Sequence, residues 1–261
     1  MFSAIRALII REINKKFIIS VNTKRSIGFL WLFGEPLLHV LLWGGIRMFY
    51  NVETSYGLDP HVFVLLGVLP FIFTRGILSS SAKCIKSNKG LLAFRQIVPI
   101  DIMVAVWLSQ ILIIVCVAIF LFGLCCWFDI SIKVYDPFSV VAFLFLFLLF
   151  MLGINLILAV LGFFFTLFNN FVMFLQRALY FFSGVFFPAD SIPYQVRPYF
   201  LANPLFQTVE GLREGFAPIH GGYLYCSLNY MATVSILTFA VGLGMYFCLR
   251  KQIMIKIEER S

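Results

Sequence analysis

Residues 137–176, PFSVVAFLFLFLLFMLGINLILAVLGFFFTLFNNFVMFLQ, form a stretch of forty residues without a charged side chain. About 20 consecutive apolar residues cross the hydrocarbon core of a bilayer, so this stretch is too long for a single crossing. Asn169 and Asn170 are its one polar pair that could turn the chain. We therefore predict two membrane-spanning helices, Phe138–Leu167 and Phe171–Phe187, joined by a very short connection.

The rest of the chain has the same character. Apolar residues make up 61% of it and charged residues 12%, whereas soluble domains average about 45–50% and about 25%. This composition excludes a disordered chain and all but excludes a soluble enzyme. Further apolar runs of spanning length are Ile27–Phe49, His61–Ser81, Ile102–Phe128 and Tyr225–Leu249. The predicted fold class is an all-α polytopic membrane protein with six transmembrane helices.

The basic residues predict the orientation. Fourteen of them lie before the first run, between the second and third, or after the last, and three (Lys133, Arg197 and Arg213) lie on the other side. Lys and Arg concentrate in cytoplasmic loops, so both termini are expected in the cytoplasm. This placement accounts for the formal charge of +8 without a nucleic-acid partner.

The chain before the first run, residues 1–25, is predicted to be an amphipathic interface helix, and residues 26–261 the transmembrane domain. Phe2, Ile5, Ile9, Ile13 and Phe17 recur at helical spacing, which favours a helix lying on the inner leaflet and its lipids. The alternative is a basic topology signal with little structure.

Two loops also carry unusual patterns. Residues 83–101 include Leu91, Leu92, Phe94 and Ile97, which predicts either a protein partner that buries them or a dip into the membrane surface. Residues 188–224 contain five prolines and a short amphipathic helix after Pro204. This pattern predicts a re-entrant periplasmic helical segment between helices 5 and 6, or else a cap over the bundle.

Charges inside the apolar runs are costly and indicate function. Arg47, near the end of its run, is expected to snorkel to the surface. Glu35 and Arg177 lie at similar depth, about 10 Å from the cytoplasmic ends of their runs, so we predict that they pair within one chain or across an interface. Arg75 lies deeper in its own run. Tyr180, Tyr194 and Tyr199 offer flat surfaces for sugar rings, although a lipid-facing aromatic belt explains most neighbouring Phe residues.

The motifs of soluble catalysis are missing from the sequence. It has no phosphate-binding Gly-rich loop with Lys, no metal-ligand spacing and no nucleophile elbow. We expect no catalytic residue, no metal site and no cofactor in this chain. A membrane-bound enzyme would need clustered carboxylates or histidines, and an ion-coupled transporter would need inverted repeats and midplane acids beyond Glu35.

Several stretches resemble capsular-polysaccharide ABC exporter permeases of the KpsM/BexB type, within the ABC-2 superfamily. They are GFLWLFGEPL at 28–37, NKGLLAFRQIVPID at 88–101, LYFFSGVFFP at 179–188, Ser191–Pro193, Asn203–Leu205 and EGLRE at 210–214. The order of these stretches matches over nearly the whole chain.

The resemblance implies a homodimer in the bacterial inner membrane, bound to two separate ATPase subunits that hold ATP and Mg. A periplasmic adaptor and an outer-membrane export protein would carry the lipid-linked anionic polysaccharide onward. Other cargoes open to this family are O-antigen, a teichoic-acid precursor or a drug-like lipid. The resemblance implies that residues 83–101, here called the coupling loop, contact the ATPase through Asn88, Gly90, Leu91, Leu92, Phe94, Arg95 and Pro99. It implies that residues 188–224, here called the gate segment, form a periplasmic gate with Pro188, Tyr194, Tyr199, Asn203, Pro204 and Arg213. The charges and the aromatic ring inside the spans add a predicted translocation path with Glu35, Arg75, Arg177 and Tyr180.

Overall fold

A computed structural model describes residues 2–19, 27–50, 56–92, 96–165, 168–217 and 225–258. Over these ranges the regular secondary structure is entirely helical, which confirms the all-α class. The helices are α1 Phe2–Ile19, α2 Ile27–Phe49, α3 Pro60–Ser81, α4 Cys84–Ser87, α5 Pro99–Trp127, α6 Pro137–Phe164, α7 Phe168–Phe182, α8 Arg197–Leu201, α9 Pro204–Phe216 and α10 Leu228–Glu258.

Proline and a preceding polar residue define where several helices begin. The α3, α6 and α9 helices each start at a proline, whose missing N–H would have no partner in the first turn anyway. The side chains of Asp59, Asp136 and Asn203 accept hydrogen bonds from backbone N–H groups of the following turns at 2.8, 3.2 and 3.0 Å. These caps satisfy donors that helix starts leave open.

A helix forms at each of the six predicted runs. The uncharged stretch divides into two helices, but the break comes earlier than predicted: α6 ends at Phe164 and α7 runs from Phe168 to Phe182, so that Asn169 and Asn170 lie in the first turn of α7. Within the described ranges, four helices are long and apolar enough to cross a membrane: α3, α5, α6 and α10. With 15 residues, α7 is only about 22 Å long. The α2 helix has 23 residues, which is long enough for a crossing, and it carries Glu35, His39 and Arg47.

The bundle has two ends, named here by what they hold. The terminal end contains α1, α4, the start of α5 and the last turns of α10, with a core around Ile85, Met103 and Ile253. The loop end contains the starts of α3 and α6 and the whole of α9, with a core around Phe63, Phe143 and Val209.

The α1 helix packs against α5 at the terminal end. Leu8 and Glu12 are its buried side chains among those described, while Ile9 and Ile13 are half-buried. A helix therefore forms where one was predicted, and the face that meets the protein is centred on Leu8 and Glu12. The side chains of Phe2, Ile5 and Phe17 lie outside the described residues.

The α9 helix is enclosed by the loop end of the bundle. Every residue from Leu205 to Arg213 is buried, and α9 packs against α3 and α6. In contrast, α7 buries only Val172 among its described residues and leaves Phe174 70% exposed. The outer faces of α2 and α7 thus lie free in a single chain.

Candidate functional site

The coupling loop is anchored to the N-terminal helix by one buried amide. Asn88 is 1% exposed, and its Nδ2 donates to the Glu12 carboxylate at 3.0 Å and to the Cys84 carbonyl at 2.8 Å. Pro99 is also buried and begins α5, where the Asp101 carboxylate accepts from the Val98 N–H at 3.1 Å. Asn88 and Pro99 are therefore buried residues that hold the coupling loop in place, and their own side chains are not exposed to a partner.

The expectation that the loop exposes a row of apolar side chains is wrong for the residues described. Leu92 is 5% exposed and packs in the terminal-end core, and Leu91 and Ile97 are half-buried against the same core. Gly90 is exposed, as is Val98 at 43%. The core takes these residues because α5 returns beside α4. Phe94 and Arg95 lie outside the described residues.

A cavity of about 520 Å³ opens between α3 and α7, beside α2. It is lined by His39, Phe71, Arg75, Met173, Gln176, Arg177, Tyr180 and Phe181. Tyr180 lies against the Phe71 ring, with 4.9 Å between ring centroids, and meets His39 edge-on at 5.7 Å. Two guanidinium groups and a phenol thus line the same cavity as several apolar side chains. This cavity is called the membrane cavity below.

The ion pair at this cavity joins Glu35 to Arg75. The two guanidinium Nη atoms of Arg75 each donate to a different carboxylate oxygen of Glu35, the Nη2–Oε2 contact measuring 2.7 Å. The predicted pair of Glu35 with Arg177 is therefore wrong within one chain. Arg177 is exposed in the membrane cavity and forms no ion pair with any carboxylate in the described part of the chain.

At the loop end, Arg213, one of the predicted gate residues, is completely buried. Its guanidinium donates to the carbonyls of Gly184, Val185 and Phe63 at 2.7, 2.9 and 3.2 Å and to Glu210 Oε1 at 2.9 Å. It also stacks 3.6 Å above the Phe63 ring centroid. Arg213 joins α3, α9 and the turn after α7 into one unit.

Glu210 completes this buried cluster. Its second oxygen accepts from the Tyr56 hydroxyl at 2.5 Å and from the Ala189 N–H at 3.1 Å. Gly184 turns the chain beneath the cluster with a φ of 70°, and a Cβ there would lie 2.6 Å from the Phe206 ring. The cluster therefore fixes the start of the gate segment.

Arg47 does not snorkel. It is 8% exposed, donates to the Phe186 carbonyl at 2.7 Å and lies 4.3 Å from the Phe63 ring centroid. Its position on the bundle side of α2 explains the difference, since the turn after α7 supplies a carbonyl that the sequence pattern could not reveal.

The remaining gate residues divide into buried and exposed members. Pro188 is buried, and Asn203 caps α9 while donating to the Phe182 carbonyl at 3.0 Å. Pro204 is the first residue of α9. Tyr194 and Tyr199 are 84% and 79% exposed, so these two rings are available to a ligand.

Sequence reasoning missed Glu12, Tyr56, Gln176 and the pairing role of Glu210. Glu210 and Arg213 are three residues apart on one helix, a spacing that brings side chains together and could have revealed the pair. The Nε2 atom of Gln176 is buried without a hydrogen-bond partner, and nothing in the local sequence marks it.

Comparison with known proteins gives a consistent result. Residues 5–217 match the family model described as ABC-2 type transporter. The chain is similar to the polysialic acid transport protein KpsM of Escherichia coli, with 34% identity over 244 residues that cover 93% of this chain and 92% of the relative. It is also similar to the capsule polysaccharide export inner-membrane proteins CtrC of Neisseria meningitidis serogroup A and BexB of Haemophilus influenzae, at 28% and 26% identity over 81% of this chain and 78% of each relative.

Proposed function

Because the chain belongs to the ABC-2 type transporter family, we propose that it is the permease subunit of an ATP-driven exporter of lipid-linked anionic capsular polysaccharide across the bacterial inner membrane. The observation that carries this assignment is the 34% identity to a polysialic acid transport protein over nearly the full length of both chains. Relatives from two other species are named for capsule polysaccharide export.

The proposed topology has six crossings with both termini in the cytoplasm. The basic residues of the terminal end, among them Lys83, Arg250 and Lys251, support this orientation. The burial of α9 among α3 and α6 supports a re-entrant gate segment, since backbone at membrane depth must be enclosed by protein. The short α7 would reach the outer surface together with the turn that Arg213 holds.

ATP and Mg would bind in a separate ATPase subunit, because no phosphate-binding loop occurs in this sequence. The coupling loop supplies the contact with that subunit. Asn88 ties the loop to α1, and Pro99 ties it to α5. A displacement of the loop by the ATPase would therefore move α1 and the whole of α5 with it.

A second copy of the chain would complete the translocation path. The outer faces of α2 and α7 carry exposed apolar side chains, including Leu38, Leu42 and Phe174 at 53%, 56% and 70%. These faces border the membrane cavity, so pairing of two copies there would enclose two sets of Arg75, Arg177 and Tyr180. A distributed positive lining suits an anionic polymer that must keep moving.

The test is deletion of the gene followed by antibody staining of capsule on intact cells. We expect loss of surface capsule, intracellular accumulation of polymer and recovery with the wild-type gene. Purification of the tagged protein should bring down an ATPase subunit and, further out, the adaptor and outer-membrane export protein. Retained capsule with loss of O-antigen or teichoic acid would instead assign the other cargo.

A further inference from the structure

The Glu35–Arg75 ion pair is partly exposed, and its arginine lines the membrane cavity, unlike the fully buried Glu210–Arg213 pair. We propose that the Glu35 carboxylate is an internal stand-in for the anionic sugars of the cargo: it holds Arg75 while the path is empty, and a cargo carboxylate displaces it during export. This inference rests on the proposed function and assigns Glu35 as the residue that limits how tightly the cargo binds.

The geometry of the pair supports the exchange. Arg75 presents both Nη atoms to the two oxygens of one carboxylate, which is the arrangement that a guanidinium forms with any carboxylate, including that of an acidic sugar. The site for a cargo carboxylate is therefore already shaped, and Glu35 occupies it.

The accessibility of the pair supports it as well. The Arg75 and Glu35 side chains are 35% and 23% exposed, whereas those of Arg213 and Glu210 are both 0% exposed. An incoming anion can reach Arg75 from the membrane cavity, and Glu35 is itself partly exposed, so its carboxylate can be released without full burial. Exchange at Arg213 would instead leave a buried carboxylate without its cation.

The other polar groups of the cavity also require an acceptor. Arg177 has no carboxylate partner in the described part of the chain, and the buried Nε2 donor of Gln176 has no acceptor. No acidic residue is present among the residues that line the cavity. Tyr180 adds an aromatic face beside these donors, on which a sugar ring can pack. The cavity thus offers donors and a flat ring, a combination that suits an acidic sugar.

The experiment measures binding of a fluorescent sialic acid hexamer, with neutral maltohexaose as the control ligand. The full-length protein is purified with the subunits that accompany it and placed in phosphatidylcholine nanodiscs without nucleotide. We compare wild type, Glu35→Gln, Glu35→Asp, Arg75→Gln and the exposed-loop control Asp129→Asn. Asp129 has a φ of 54°, which Asn also tolerates, so that substitution removes one negative charge without straining the backbone.

Glu35→Gln should bind the acidic hexamer about tenfold more tightly than wild type, equivalent to about 1.4 kcal/mol, because Arg75 no longer has a competing carboxylate. Glu35→Asp, with a shorter and weaker pair, should give a smaller gain. Arg75→Gln should lose affinity, and maltohexaose and Asp129→Asn should show no change. Export by Glu35→Gln should be slower than export by wild type although the hexamer binds more tightly. Loss of a purely structural ion pair would not produce slower export together with tighter binding.

The proposal is overturned if neither Glu35 variant tightens binding of the acidic hexamer, or if both ligands tighten equally. It is also overturned if the hexamer binds neither wild type nor Glu35→Gln. Any of these results, together with restoration of capsule by the wild-type gene, would leave the proposed function standing and remove the exchange alone.

Discussion

Replacement of Arg213 by alanine should destabilise the protein more than replacement of any exposed arginine. The guanidinium is the shared donor to four backbone carbonyls from α3 and the turn after α7, and it balances the charge of Glu210. All of these groups are buried, so water cannot take over the hydrogen bonds without opening the loop end.

The magnitude follows from the uncompensated charge. Removing one partner of a buried ion pair costs about 3–5 kcal/mol. The carbonyls left without donors lie in the same network, so their separate costs do not simply add. At about 2–4 °C per kcal/mol for a chain of this size, the melting temperature should fall by about 6–20 °C. The melting temperature of Arg213→Lys should fall in between, because one ammonium group cannot reach all the acceptors arranged around the edges of the planar guanidinium.

The assay is the loss of helical circular dichroism on heating in detergent at a fixed scan rate, since unfolding of such a protein is governed by rate. The matched control is Arg250→Ala, which removes an exposed arginine at the terminal end and should change stability by less than about 0.5 kcal/mol. Arg213→Ala that melts together with Arg250→Ala would refute a stabilising role for the cluster.

Three further predictions follow. Gly242→Ala should lower the melting temperature by an amount equivalent to about 1–3 kcal/mol, because its Cβ would lie 2.8 Å from the Gly153 carbonyl oxygen of α6. The control Gly244→Ala lies on the same helix with nothing within 4 Å of its Cβ, so its stability should be unchanged or slightly higher. An equal loss of stability in both variants would contradict this account of the α6–α10 contact. Asn88→Ala should reduce the amount of co-purifying ATPase subunit at least twofold, although the side chain is 1% exposed. Glu12→Ala should reproduce the defect, because it removes the acceptor of the Asn88 hydrogen bond. An effect of one variant without the other would argue against this hydrogen bond as the anchor of the loop. Tyr194→Ala and Tyr199→Ala should reduce capsule export without a shift in melting temperature, since both rings are exposed. Tyr194→Phe and Tyr199→Phe keep the stacking surface and should retain most export. Loss of export in these Phe variants as well would assign the effect to the hydroxyl groups.

The sequence was sufficient to locate the helices. Prolines at residues 60, 137 and 204, each after a capping residue, start helices at the places where apolar runs begin. The division of the uncharged stretch into two helices was also correct, although Asn169 lies inside α7 and not in the connection. These features are local, because a helix start depends on a few neighbouring residues and a span depends on length and hydropathy.

The partners of the charges were not predictable in the same way. Depth along a helix can be counted at about 1.5 Å per residue, which placed Glu35 and Arg177 at one level. The rotation of each helix about its axis decides which side chain is met, and helices that are apolar all round carry little signal for rotation. Glu35 therefore meets Arg75 on the adjacent α3, and Arg47 turns inward to the Phe186 carbonyl.

The prediction that the apolar side chains of the coupling loop meet an external partner was wrong for a related reason. An apolar side chain in a loop is normally a sign of an external partner, but α4 lies beside the start of α5 and supplies an internal one. Leu92 thus contributes to the core of its own chain. The distinction depends on the return path of the chain, which no window of the sequence contains.

The two arginine–carboxylate pairs show how burial assigns different tasks to the same chemistry. At Arg213 every donor is used and the side chain is inaccessible, so the pair can break only when α3, α9 and the turn after α7 separate. At Arg75 the guanidinium lines an open cavity, and the Glu35 side chain is 23% exposed, so the proposed exchange does not require the helices to separate. A permease needs both properties, because a moving polymer requires anion sites that release it readily within walls that do not yield. In the proposed mechanism, the loop-end cluster serves as the wall and the Glu35–Arg75 pair as the exchangeable site.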